Sequence, residues 1–204
     1  MSKREFFNKQ AECWGEQYHQ NDASQLRELI DRFDFEEGKS VLDVGCGTGI
    51  LLPYLSDKVK EKGSVFAVDF SWNMIFEAKK KRIHPEEEKP QIHFINASVE
   101  TLPLKDQTID YVACFATFAH VTDQKKAIYE MGRALKTGGK LFVAHFFGKK
   151  ELAEHHRLAG GEVENDTIPD GDKMREMMKN AGLKDIEITD QPNLYLASAE
   201  KKEI

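Results

Sequence analysis

The chain has 204 residues, a net charge of −6 and an isoelectric point near 5.7. This is enough for one domain with a full core. The acidic balance, with no block of Lys or Arg, speaks against nucleic acid as the main partner. No run approaches a membrane span, and the N-terminus has no apolar segment of signal-peptide length. The three cysteines Cys13, Cys46 and Cys114 are odd in number and far apart. They indicate neither a disulfide frame nor a thiolate zinc site, and a reducing cytoplasm is the simple reading.

Residues 4–20 read as a helix with Phe7, Ala11, Trp14 and Tyr18 on one face. Asn21 and Asp22 interrupt it and cap a second helix carrying Leu26, Leu29, Ile30 and Phe33. Ser40 to Val44 is an apolar, β-branched strand interrupted by Asp43, and Ile50 to Lys60 is an amphipathic helix. Val65 to Asp69 is a second strand, and Ser71 caps a helix running to about Ile83. His84 to Pro90 is a charged, proline-bounded surface loop, followed by a strand over Gln91–Ile95 and another over Ile109–Phe115. Thr122 or Asp123 opens a helix to Lys136, Gly138-Gly139 closes it, and Leu141–Phe146 is a fifth strand. Beyond Gly148 the pattern loosens into a polar helix with His155-His156-Arg157, then a loop and a helix over Met174–Ala181. The strands Lys184–Thr189 and Leu194–Ala199 flank Pro192, and so short a link makes them antiparallel. Strands alternating with helices imply a mostly parallel sheet covered on both faces.

The stretch Val41-Leu42-Asp43-Val44-Gly45-Cys46-Gly47-Thr48-Gly49 joins a buried strand to a helix through a glycine turn. Such a turn brings main-chain N–H groups and a helix N-terminus against a ligand. A dinucleotide fingerprint needs a third glycine at position 50, where this chain has Ile50, so a nucleotide-cofactor oxidoreductase is disfavoured. Alone, the loop is also compatible with a tight turn that binds nothing. Asp69 follows Gly49 by twenty residues at the end of the second strand, where a carboxylate can accept both hydroxyls of a ribose or simply cap a helix.

Asp43-x-Gly45-x-Gly47-x-Gly49 resembles motif I of the class I S-adenosylmethionine (SAM) methyltransferases. Asp69-Phe70-Ser71-Trp72-Asn73-Met74 resembles the family's next segment, whose acid holds the ribose and whose Met covers the adenine. Asn96-Ala97-Ser98 with Leu102-Pro103 resembles its G-D-A…L-P segment, with Asn96 as a neutral acceptor for the adenine amino group. Ile109-Asp110-Tyr111-Val112, Phe115 to His120 and Arg133-Ala134-Leu135-Lys136-Thr137-Gly138-Gly139 resemble the ubiquinone/menaquinone-type (type 11) branch. Thr137 stands in place of the usual proline, and Asp110 takes a structural part in that family.

The resemblance implies a Rossmann-like, doubly wound seven-stranded α/β sheet, mostly parallel with an antiparallel C-terminal strand. It divides the single domain into a helical lid (1–36), a SAM-binding core (37–147) and a substrate-pocket insertion with the C-terminal strands (148–204). The cofactor residues it implies are Asp43, Gly45, Cys46, Gly47, Gly49, Asp69, Phe70, Met74, Asn96, Ala97, Ser98 and Phe115. His120 is expected as a base or orienter and His145 as a second catalytic candidate, over one crevice. His155 and His156 read as solvated helix residues, and no metal site is expected. The expected activity is methyl transfer to a small-molecule acceptor by a cytoplasmic monomer or homodimer, without nucleic acid or membrane insertion. A non-catalytic SAM-binding or S-adenosylhomocysteine (SAH)-binding sensor is the alternative.

Overall fold

A computed structural model describes residues 1–14, 20–81 and 90–203, with the side chains of 20–22 left aside. Tyr18, the capping expected of Asn21 and Asp22, and the loop over 84–89 therefore lie outside the described residues. The described chain runs α1 (Lys3–Trp14), α2 (Gln20–Asp31), β1 (Ser40–Val44), α3 (Leu52–Val59), β2 (Ser64–Asp69), α4 (Trp72–Lys80) and β3 (Gln91–Asn96). It continues through β4 (Ile109–Phe115), α5 (Gln124–Ala134), β5 (Leu135–His145), α6 (Lys149–Ala159), α7 (Gly171–Asn180), β6 (Leu183–Gln191) and β7 (Leu194–Lys201). The second helix begins at Gln20 and so already includes Asn21 and Asp22, which were expected to precede it.

The seven strands form one sheet in the order β3-β2-β1-β4-β5-β7-β6. The pairs β1–β2, β2–β3, β1–β4 and β4–β5 are parallel, and β7 runs antiparallel to both β5 and β6. The expected doubly wound architecture is thus present. The central strands alternate between two apolar layers, because successive side chains point to opposite faces. Leu42, Val44, Val112, Leu141 and Val143 pack with Ile128 and Met131 of α5 and Met174 and Met178 of α7. Val41, Val65, Ala113 and Phe142 pack with Leu26, Leu29 and Ile30 of α2 and Leu52, Leu55 and Val59 of α3. Each fully buried aliphatic side chain contributes about 1.5–3 kcal/mol, so both layers hold the sheet rigid.

Local chemistry sets the helix ends. Ser71 accepts from the Met74 N–H, Asp123 from Lys126 and Asp170 from Lys173. At the end of α5, Leu135 is already extended and opposite Ile109, so the helix stops two residues before the expected Lys136. The register then jumps, with Tyr111 opposite Lys140. Gly139 sits in that irregularity, where a Cβ would lie 2.8 Å from the Asp110 carbonyl. Asp110 itself accepts from the Ser40 N–H and hydroxyl and from Lys136, which ties β1, β4 and β5 together. It has the structural part expected of it.

The chain winds outward from β1 to β3 and then returns to β4 beside β1. This reversal opens a crevice at the carboxyl ends of β1 and β4, where ligands of such sheets bind. The glycine turn and the segment Phe115–His120 both end there.

Candidate active site

After β1 the N–H groups of Gly45 and Cys46 both reach the Val68 carbonyl, at 2.8 and 3.0 Å. The turn closes with a 2.8 Å bond from the Gly49 N–H to the Cys46 carbonyl. This delays the helix, which starts at Leu52 rather than Ile50. Gly45 has φ +68°, and a Cβ there would fall 2.2 Å from the Thr117 side chain. The Thr117 hydroxyl lies 3.1 Å from the Gly45 carbonyl, locking the β1 turn to the segment after β4. Gly45→Ala is expected to cost about 2–4 kcal/mol, from left-handed strain plus the collision. Urea unfolding checks this, and Thr117→Gly in the same chain should recover part of the loss.

Two carboxylates lie under this turn. Asp69 accepts from the Gly47 N–H at 2.9 Å and from the Ser71 N–H at 2.8 Å. Burial nevertheless pushes its pKa up to about 6. Asp43 is 1% exposed, and its Oδ2 has no hydrogen-bond partner among the described residues. Burial, with the neighbouring Asp69 charge, pushes Asp43 up to about 8. An unpaired buried carboxylate is costly.

Two adjoining pockets share Gly45, Asp69, Phe70, Thr117 and His120. The first continues over Cys46, Gly47, Met74 and Phe115 and is covered by Phe7 and Trp14 of α1. The second continues over Ala97, Ser98, Val99 and Glu100 and is bordered by Lys3. The helix α1 is fastened by the Asn8 side-chain oxygen, which accepts from the Ser71 hydroxyl at 2.6 Å, and by Asn73, which donates to the Asn8 carbonyl.

The crevice thus gathers most of the residues expected there. Gly49 packs instead against Leu52 and Ala78, and Asp43 is buried beneath the turn, so both lie outside the two linings. Asn96 is exposed and also outside them, and its amide donates to the Asp69 main-chain carbonyl at 2.9 Å. Its replacement by Asp would put a charge against that carbonyl.

The histidines need correction. His145 does not reach the crevice: it is 2% exposed, faces the α5–α7 layer opposite Tyr195, and leaves Nε2 without a partner among the described residues. Burial, with His120 and His156 adding to it, pushes its pKa down to about 3, so it stays neutral. His156 is buried rather than solvated, and its Nδ1 donates to the Asp166 carbonyl at 2.7 Å. His155 is exposed and stacks on Phe147. Among the described residues no group of three or more His, Cys, Asp or Glu is arranged to hold a metal ion.

Sequence reasoning missed Lys3, Thr117 and Asp166. Thr117 had a signal, its place two residues after β4. Lys3 and Asp166 had none, since they become neighbours only in the folded chain.

Residues 35–183 match the family described as a methyltransferase domain. The chain belongs to that family. The methyltransferase is 29% identical over 191 residues to the demethylmenaquinone methyltransferase of Shouchella clausii (strain KSM-K16), covering 83% of this chain and 80% of that one. It is 30% identical over 185 residues to the ubiquinone/menaquinone biosynthesis C-methyltransferase UbiE of Enterobacter sp. (strain 638), covering 79% and 72%. A crystal structure of a SAM-dependent methyltransferase from Aquifex aeolicus superposes with a TM-score of 0.68 at 26% identity, covering 85% and 88%. The resemblance read from the glycine turn and the segments after it is therefore borne out. The methyltransferase transfers a methyl group from SAM to a small-molecule acceptor. No helix among its described residues is long and apolar enough to cross a membrane.

Proposed function

We propose that the acceptor is an electron-rich hydroxylated aromatic of the hydroquinone type, and that His120 is the base that takes its proton. The single observation that carries this reading is the placement of His120. It lines both pockets, between the glycine turn and the aromatic cover formed by Phe7. The names of the quinone-methylating relatives support the acceptor class.

The pocket fits SAM on two counts. The Asp43 Oδ2, buried beneath the turn and outside the pocket linings, suits an ammonium group reached directly or through water, and the glycine turn lets main chain approach closely. Asp69 would hold the ribose hydroxyls, while Phe70, Met74, Ala97 and Ser98 would enclose the adenine. Asn96, turned to the Asp69 carbonyl, steadies that strand end. When bound, SAM supplies a methyl group on a sulfonium, an electrophile open to in-line displacement. The chain's own residues orient, exclude water and move a proton. Phe7 and Trp14 cover the crevice, which keeps water out, and alignment of the two reactants can lower the barrier by about 7–11 kcal/mol at most.

Calorimetry tests the cofactor half. SAM and SAH are expected to bind in the micromolar range, about −8 kcal/mol. Asp69→Ala is expected to lose roughly 2–4 kcal/mol of that affinity while remaining folded. No heat with either ligand would sink the reading, and unchanged affinity in the variant would reduce Asp69 to a helix cap. SAH release in the presence of a naphthohydroquinone, and its absence without one, tests the acceptor half.

A further inference from the structure

We propose that Asp166 is the positioning residue for His120, completing a His–Asp dyad that the lid helix α1 assembles. The inference rests on His120 being the base of the proposed reaction. Its geometry stands apart from that reading.

The His120 Nδ1 lies 2.7 Å from the Asp166 Oδ2. A carboxylate can only accept, so Nδ1 carries the hydrogen, and in the neutral ring Nε2 then keeps its lone pair for the acceptor. Four elements fix this arrangement. Lys3 of α1 donates to the Asp166 Oδ1 and, at 3.1 Å, to the His120 carbonyl. His156 of α6 donates to the Asp166 carbonyl at 2.7 Å. The Asp166 N–H closes a turn on the Val163 carbonyl at 2.9 Å. Gln124 at the start of α5 donates to the carbonyls of Phe118 and Thr167, joining the His120 turn to the Asp166 loop. The His120 and Asp166 side chains are 13% and 9% exposed, so the pair is little screened by water. Burial alone would push the Asp166 pKa up, but the bonds from His120 and Lys3 outweigh it and hold the carboxyl below its ordinary value. Among the described residues, the other charged and titratable groups facing His120 are His156 beside it, His145 behind it, and Asp69 and Glu100 across the pockets.

In the step, the acceptor's O–H bond breaks and its proton binds His120 Nε2, while the electron pair stays on the acceptor. The imidazolium so formed is offset by the Asp166 carboxylate, which remains ionised. A mere fastening of α1 to the loop would need the ion pair but would not care which nitrogen carries the hydrogen.

The test uses that difference. In Asp166→Asn, Lys3 retains the side-chain oxygen, so the amide NH2 faces His120 Nδ1 and forces the hydrogen onto Nε2. Long-range 1H–15N correlation spectra should show the Nδ1–H tautomer in the wild type and the Nε2–H tautomer in the variant. With a hydroquinone acceptor, kcat should fall about 10–100-fold, the acidic limb of the pH–rate profile should move, and the SAH dissociation constant should stay within about threefold. Asp166→Glu should restore the tautomer and part of kcat. Lys3→Met is a milder variant that frees the carboxylate to turn, and it should give a mixture of tautomers. A wild-type His120 in the Nε2–H form, or a folded Asp166→Asn with an unmoved tautomer, overturns the dyad. If the tautomer inverts as expected but no acceptor is methylated by the wild type, the dyad stands and the base reading fails.

Discussion

His120→Ala should lower turnover by about 10²–10⁴-fold, the usual contribution of a well-placed general base. The SAM dissociation constant should stay within about threefold, under roughly 0.7 kcal/mol. The split follows from the structure. The ring of His120 packs edge-on against Phe7 at 5.1 Å and is bonded through Nδ1, so its remaining nitrogen is what the reaction can use. Removing it leaves Asp69, Asp43 and the glycine turn intact. Steady-state kinetics with a hydroquinone acceptor and calorimetry with SAM measure the two arms. Unchanged turnover would mean that the acceptor arrives ionised, and a collapse of SAM binding would move His120 into the cofactor site.

Asp43→Asn should make the protein more stable and the cofactor site much weaker. Asp43 ionises near pH 4 in the unfolded chain and near 8 when folded. A raised folded pKa means that the group's stabilising share is complete below about pH 4 and is lost as pH rises toward 8. At pH 8 the wild type without SAM therefore carries a burden of about 3–5 kcal/mol that Asn, which does not ionise, escapes. A buried Asn amide without a partner returns about 1–3 kcal/mol of cost. The net gain of about 2 kcal/mol raises the melting temperature by about 4–8 °C at pH 8. Near pH 4 the gain vanishes and the variant becomes the less stable of the two. SAM should bind the variant about 10–150-fold more weakly, through loss of a charged hydrogen-bond partner. Wild-type affinity should rise with pH up to about 8, where the α-ammonium of the ligand itself begins to lose its proton. Melting curves of both proteins from pH 4 to 8, with and without SAM, separate these effects. A variant that melts below the wild type at pH 8 would show that the Asp43 carboxylate is not strained.

The side of the crevice built by the glycine turn was legible in the sequence because its residues come in short consecutive runs. Gly45 to Thr48, Asp69-Phe70 with Met74, and Ala97-Ser98 each lie at or just beyond the end of one strand, so chain order places them. The boundaries that shifted did so for tertiary reasons. Leu135 leaves its helix to pair with Ile109, and Ile50 is held out of α3 by the closed glycine turn. The partners of His120 were not legible. Lys3 and Asp166 are 163 positions apart and meet only after folding. His156 read as solvated because its neighbours Glu154, His155 and Arg157 are polar. The overlooked signal was Leu152, one turn earlier on the same buried face of α6.

The insertion of β7 between β5 and β6 also sets an order on the birth of the molecule. A ribosome makes β6 before β7, yet among the described strands β6 pairs only with β7. The outer rim of β5, with Leu141, Val143 and Ala144 along it, stays open until Leu194 to Lys201 have emerged and turned back into place. Until then the nascent chain displays an apolar strand ready to join any other strand it meets. Translation halted before Leu194 would leave that rim permanently bare, so such fragments should be found in aggregates or in the grip of chaperones rather than as a smaller enzyme.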